Sequence, residues 1–155
     1  MTDKLKNLLP LPCYMGMSCE HYKGQNARAE VEESGSAGEK QIARMLNHYQ
    51  VRFFYEHPVA VLDREKVRVW YPDFWLPDYG VAIEYAGVKG NEDYDAGIDH
   101  KKEVYRASGV SCLFVDVQDL RGGWPKRLLW NIRCVLAARM AEFDSLETRL
   151  RHVRE

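Results

Sequence analysis

Apolar and polar residues follow two rhythms along this chain, one repeating every three to four positions and the other every two. Ser36 followed by Glu39 has the spacing of a capping box, and Ile42, Ala43, Leu46 and Tyr49 supply a helical apolar stripe, so a helix is predicted over 37–50. Three runs rich in β-branched and aromatic residues come next, at 51–62, 67–76 and 81–87. They are separated by the turn-like Asp63-Arg64-Glu65-Lys66 and Pro77-Asp78-Tyr79-Gly80, which predicts an antiparallel meander. Residues 91–97 read as a polar loop. Ile98, Lys101, Val104 and Tyr105 then take helical spacing up to a Ser108-Gly109 stop, and the apolar run 111–117 predicts a fourth strand. Leu128, Leu129, Ile132, Leu136, Met140 and Phe143 mark a final amphipathic helix that the pattern carries on through Leu146, Leu150 and Val153.

The expected class is therefore α/β, with the order α-β-β-β-α-β-α and a mixed central sheet flanked by helices. Strands three and four are joined through a helix. That crossover predicts a right-handed connection between parallel neighbours. Residues 1–35 mix Pro, Gly, Ser and charge with little periodicity and read as an N-terminal arm or linker, leaving 36–155 as a single domain with a C-terminal helix.

Composition changes this picture only slightly. A chain of 155 residues can bury a core without staples, and no apolar run approaches the roughly 20 residues of a membrane span. The opening residues lack a sustained apolar core and a small-residue cleavage site, so a cytoplasmic protein is expected. Cys13, Cys19, Cys112 and Cys134 show no tight repeated spacing. Cys13, Cys19 and His21 offer three zinc donors without a normally spaced fourth, and buried thiols are the plainer reading. A net charge of −1 argues against a protein that coats nucleic acid by bulk attraction. The charge is uneven, however: acid dominates the centre, and Arg and Lys dominate from Arg121 onward.

The chemistry is concentrated in YPDFWLPDYGVAIEYAG. Asp73 lies within an aromatic run and Glu84 within an apolar one, where a carboxylate is costly to bury without compensation. A hairpin bending near 78–80 sets the two at comparable distances from the turn, able to face each other, and a hard divalent cation between them would relieve their repulsion. Magnesium is the expected ion, with manganese as its substitute. Glu39 shares the core-facing side of the first helix and is a third candidate ligand, although a capping bond to the Ser36 amide accounts for it equally well. Lys101, one turn before Tyr105 on the sheet-facing side of its helix, is the preferred cation to steady a developing phosphate charge, with Lys102 as its neighbour and substitute. A solvated helix lysine is the plain alternative for either.

At these residues the chain resembles the PD-(D/E)xK nuclease superfamily, the restriction-endonuclease-like fold that includes small endonucleases related to very-short-patch repair enzymes. The likeness spans roughly 38–117. Pro72-Asp73, ten further residues and Glu84 within VAIEYAG look like its core motif, and Glu39 looks like the acid its first helix often contributes. The resemblance implies a metal-dependent endonuclease that hydrolyses DNA phosphodiesters, with Asp73 and Glu84 as ligands and Glu39 assisting. Ala86 stands where the usual motif has lysine. Branches of the superfamily supply that cation from the following helix, and IEYAG followed by HKKEVYRASGV resembles them, which puts Lys101 in the role.

Partners follow from the same reading. DNA is the expected substrate, RNA would use the same site chemistry, and Arg127, Arg133 and Lys102 are candidate phosphate contacts, alongside Arg139 and Arg149; a solvated helix face accounts for the arginines as well. Gln118, just past strand four, is either a polar site residue or a loop amide. Trp70, Tyr71, Phe74, Trp75 and Tyr85 are read as sheet packing before base stacking, and His57 and His100 receive no role. The long apolar stripe of the last helix suits either a single-domain core or a homodimer. The rival class is an inactive nuclease-fold module that binds nucleic acid or a protein, which the missing lysine at Ala86 favours.

Overall fold

The computed structural model describes residues 24–87 and 92–152. The Cys13, Cys19 and His21 zinc candidate lies outside them. The elements run α1 (Gly24–Ser34), α2 (Ala37–His48), β1 (Phe54–Tyr55), β2 (Val59–Asp63), β3 (Lys66–Trp70), β4 (Phe74–Leu76), β5 (Val81–Ala86), α3 (Glu92–Ala107), β6 (Ser111–Asp116) and α4 (Trp124–His152). This is a mixed α/β fold. Its main sheet has the order β1-β4-β5-β6, antiparallel across the first two pairs and parallel between β5 and β6. The crossover through α3 thus joins parallel neighbours, as the spacing of the elements predicts.

Two layers of apolar side chains sandwich the sheet. On one face, Phe74, Leu76, Val81, Ile83 and Val115 meet Val31 of α1, Ile42 and Leu46 of α2, and Leu128, Leu129 and Ile132 of α4. On the other, Cys112 and Phe114 meet Val104 and Tyr105 of α3 and Val61 of β2. β5 is buried along nearly its whole length, which explains why its sequence is an almost unbroken apolar run.

Three expectations need correction. The segment read as an arm over 1–35 contains α1, which buries Ala27 and Val31. One short stripe four residues apart is enough to seat a two-to-three-turn helix when the core supplies the partners, but it is too weak to register as periodicity. The meander is also interrupted. The first two β-rich runs each break in two, at 56–58 and 71–73, so β2 and β3 form a separate antiparallel hairpin between β1 and β4. Pro58 and Pro72 sit at these breaks, where a missing amide donor ends a ladder. Finally, most of the predicted 91–97 loop is the first turns of α3.

The turn between β4 and β5 is tightly made. The Gly80 amide donates to the Leu76 carbonyl at 2.8 Å, and Gly80 adopts φ +59, where a side chain would be strained. From α4, Arg139 donates to the Tyr79 and Gly80 carbonyls at 3.0 and 2.9 Å, clamping the bend that fixes the β4–β5 register.

Candidate functional site

Asp73 enters β4 directly after the buried Pro72. The β4–β5 pairing aligns Phe74 with Ile83, and one further step of that register sets Asp73 opposite Glu84. Side chains alternate along a strand, so both acids turn away from the Phe74 and Ile83 face and towards the side that α3 covers. The two do not splay onto opposite faces.

Each carboxylate is held by specific donors. The Tyr85 amide donates to Asp73 Oδ2 at 2.6 Å. Glu84, only 4% exposed, accepts from Lys101 Nζ on Oε2 and from the Tyr105 hydroxyl on Oε1, both at 2.7 Å. Lys101 and Tyr105 stand one turn apart on α3, so a single helix face delivers both donors to one acid. Lys101 remains 41% exposed at its side chain, which places the cluster at the boundary between core and solvent.

The electrostatics reflect this crowding. Burial pushes the Asp73 carboxyl up to about 7; the Tyr85 amide opposes the shift, Glu84 and Glu39 add to it, and Lys101 counters it. The Tyr105 hydroxyl is pushed up by burial and by its bond to Glu84, so it stays a donor.

Glu39 approaches from α2. Ser36 caps that helix by accepting from the Glu39 amide, and its hydroxyl donates to Glu39 Oε1. Tyr55 of β1 donates to Glu39 Oε2 at 2.6 Å. The Glu39 side chain therefore serves the cap through the serine hydroxyl while feeling the charge of Asp73. Gly38 allows this approach: a Cβ there would lie 2.0 Å from the Tyr85 ring, so only glycine lets the start of α2 close on β5.

The remaining candidates separate. Lys102 pairs with Asp99 at 2.8 Å and lies 5.8 Å from the centre of the Phe114 ring, beside the cluster but not bonded to Glu84. Arg127 donates to the carbonyls of Asp119, Arg121 and Gly122, holding the loop before α4. Arg133 is exposed and lies over the Trp130 ring at 5.6 Å. Gln118 is exposed in the turn after β6, its backbone amide bonded to Asp116 Oδ1. His57 stacks on Phe54, and His100 lies 3.3 Å from Asp63. Sequence reasoning missed Tyr105 as the second donor to Glu84 and Tyr55 as the partner of Glu39. The first was signalled by its position one turn after Lys101; the second had no local signal, because Tyr55 and Glu39 meet only through the fold.

Among the described residues, no group of three or more His, Cys, Asp or Glu side chains is gathered to hold a metal ion. The pair Asp73 and Glu84 nonetheless fits a hard cation by its chemistry. Both donors are carboxylates, and an ionised carboxylate has about four lone-pair directions, more than the bonds described here consume. The fold and cluster define a mixed α/β protein with a buried Glu84, a half-buried Asp73 and an adjoining lysine at the carboxyl end of its central strand. No family model, curated protein or solved structure matches the chain. No helix among the described residues is long and apolar enough to cross a membrane.

Proposed function

We propose that this chain is a magnesium-dependent endonuclease of restriction-endonuclease-like fold that hydrolyses DNA phosphodiester bonds within the cytoplasm. The observation that carries the reading is the convergence of Asp73, Glu84 and Lys101: two acids from adjacent strands on one face, with an ammonium 2.7 Å from one of them. Structural ion pairs are common, but a buried Glu84 and a half-buried Asp73 with a raised carboxyl, beside a half-exposed lysine, form an expensive arrangement that packing alone does not require.

Asp73 and Glu84 would hold the ion, with Glu39 as a neighbour whose charge adds to its attraction. When bound, magnesium lowers the pKa of a coordinated water and offsets charge on the phosphate. The chain's own groups then have distinct tasks. The Tyr85 amide fixes the Asp73 carboxylate, Tyr105 orients Glu84, and Lys101 presents ammonium protons on the solvent side to a phosphate oxygen. Lys102, paired with Asp99, is the weaker candidate for that last task.

A plasmid-nicking assay tests the reading. Cleavage should require magnesium or manganese, stop with chelator, and fall at least about 100-fold in Asp73→Ala, the size of effect expected when metal-centred charge stabilisation is removed. Nicking that continues unchanged in Asp73→Ala would sink it.

One observation favours the rival, an inactive nucleic-acid- or protein-binding module. Glu84 is already satisfied by Lys101 and Tyr105, so the cluster is closed without an ion, and Ala86 leaves the motif's own lysine position empty. Strand binding without cleavage in either metal would decide for it.

A further inference from the structure

Two clefts flank the edge strand β6. One, of about 330 Å³, lies on the α3 side and carries more acid than cation, with Asp95, Asp99 and Asp116 beside Lys102, Ala86 and Phe114. Asp73, Glu84 and Lys101 do not line it, although Ala86 is two residues beyond Glu84 on β5 and Lys102 adjoins Lys101. The other, of about 600 Å³, opens between β6 and the first turns of α4, where Lys126, Arg127 and Arg133 outnumber Asp119 around Trp124 and Trp130. Phe114 borders both, but the cations gather in the second.

At each cleft one cation lies over an aromatic ring. Lys102 lies over Phe114 and Arg133 over Trp130, and the Trp130 ring is 57% exposed. Between residues 120 and 141 there are five Arg and Lys residues, namely Arg121, Lys126, Arg127, Arg133 and Arg139, and no Asp or Glu. An exposed indole inside a cationic cleft suits a ligand with flat faces and repeated negative charge.

We infer that the cleft at α4 seats an unpaired DNA strand, with phosphates along Lys126 and Arg133 and a base stacked on Trp130. This rests on the endonuclease reading and sharpens it: the substrate is DNA with a single-stranded or splayed segment. A closed duplex spends its base faces on its own stack and has none to offer Trp130, whereas an unpaired strand has one at every nucleotide. A second copy of the chain is disfavoured here because a two-fold contact would bring this acid-free, cationic stretch against itself.

The test is equilibrium binding of a short fluorescein-labelled oligo-dT strand and of a blunt duplex, both in chelator, so that cleavage plays no part. The single strand should bind more tightly than the duplex. Trp130→Ala should weaken strand binding about tenfold, Trp130→Phe should recover most of the loss, and Arg133→Gln should weaken it and flatten its salt dependence. Equal binding of strand and duplex, or strand binding unchanged in Trp130→Ala with the melting temperature preserved, overturns the inference. So does a dimer in sedimentation that Trp130→Ala dissociates, since that assigns the face to a second copy. Magnesium-dependent nicking together with strand binding insensitive to Trp130 overturns this inference alone. Tryptophan-dependent strand binding without nicking upholds it and removes the hydrolytic reading instead.

Discussion

Asp73 carries the sharpest consequence at the scale of single residues. Its folded carboxyl sits at about 7 against an ordinary 3.8, so the folded chain holds a proton there that the unfolded chain has lost. Stability contributed by that proton is complete below the ordinary carboxylate range and drains away as pH rises from about 4 towards 7. Asp73→Asn keeps an oxygen for the Tyr85 amide without the charge. In chelator at pH 8 it should therefore melt higher than the parent, by on the order of 2 kcal/mol, while the two converge near pH 4. Parallel melting curves across that range would show that Asp73 is not held under strain. The lysines differ just as specifically. Lys101→Ala leaves Glu84 buried with one donor fewer and should cost about 1–2 kcal/mol, reduced from the buried-pair range because the ammonium is half exposed. Lys102→Ala removes an exposed pair with Asp99 and a contact over Phe114 and should cost no more than about 0.5 kcal/mol in chemical denaturation.

At the scale of elements, the β2–β3 hairpin is the least economical part of the fold. Its two-residue turn places Arg64 and Glu65 at φ +48 and +64, conformations that suit Asn and Gly. Replacing the pair by Asn-Gly should stabilise the chain by about 1 kcal/mol, read as a higher urea midpoint at unchanged slope. An unchanged midpoint would mean that the turn is not under strain. The hairpin also shows where local reading stops. Its strands were legible as β from Val, Trp and alternation, but its partner was not, because the same pattern suits a meander strand and an inserted ribbon alike. Only the prolines at 58 and 72 mark the breaks, and proline announces an end to pairing without saying what pairs next. α2 and its Ser36 cap, by contrast, were readable because capping is a bond between residues three apart.

The whole molecule depends on α1 more than its polar composition suggests. Val31 is fully buried between α2 and the sheet. Val31→Ala should cost about 1–3 kcal/mol through lost transfer energy and a residual void, and deletion of residues 1–35 should abolish cooperative unfolding in a thermal scan. A deletion that melts like the parent would restore the arm reading. At the far end, α4 runs 29 residues, about 43 Å at 1.5 Å per residue, and leaves Met140, Phe143 and Leu146 exposed beyond the clamp at Arg139. The stripe that is core at Leu128 and Ile132 thus continues past the domain it serves, and periodicity could not say where burial ends.

What the chain determined by itself is what depends on near neighbours: the capped helix, the β4–β5 hairpin, the parallel return through α3, and the placing of Asp73, Glu84 and Lys101 on elements that had to meet. A bend of fixed length sets cross-strand partners, and residues four apart on a helix must share a face, so those relations need no knowledge of the rest. The tertiary structure alone decided that Tyr105 completes Glu84, that Tyr55 holds Glu39, and that α1 belongs to the core. These join segments distant along the chain, and which of many equivalent hydrogen-bond donors or apolar faces is used depends on how whole layers pack, a choice that no local spacing encodes.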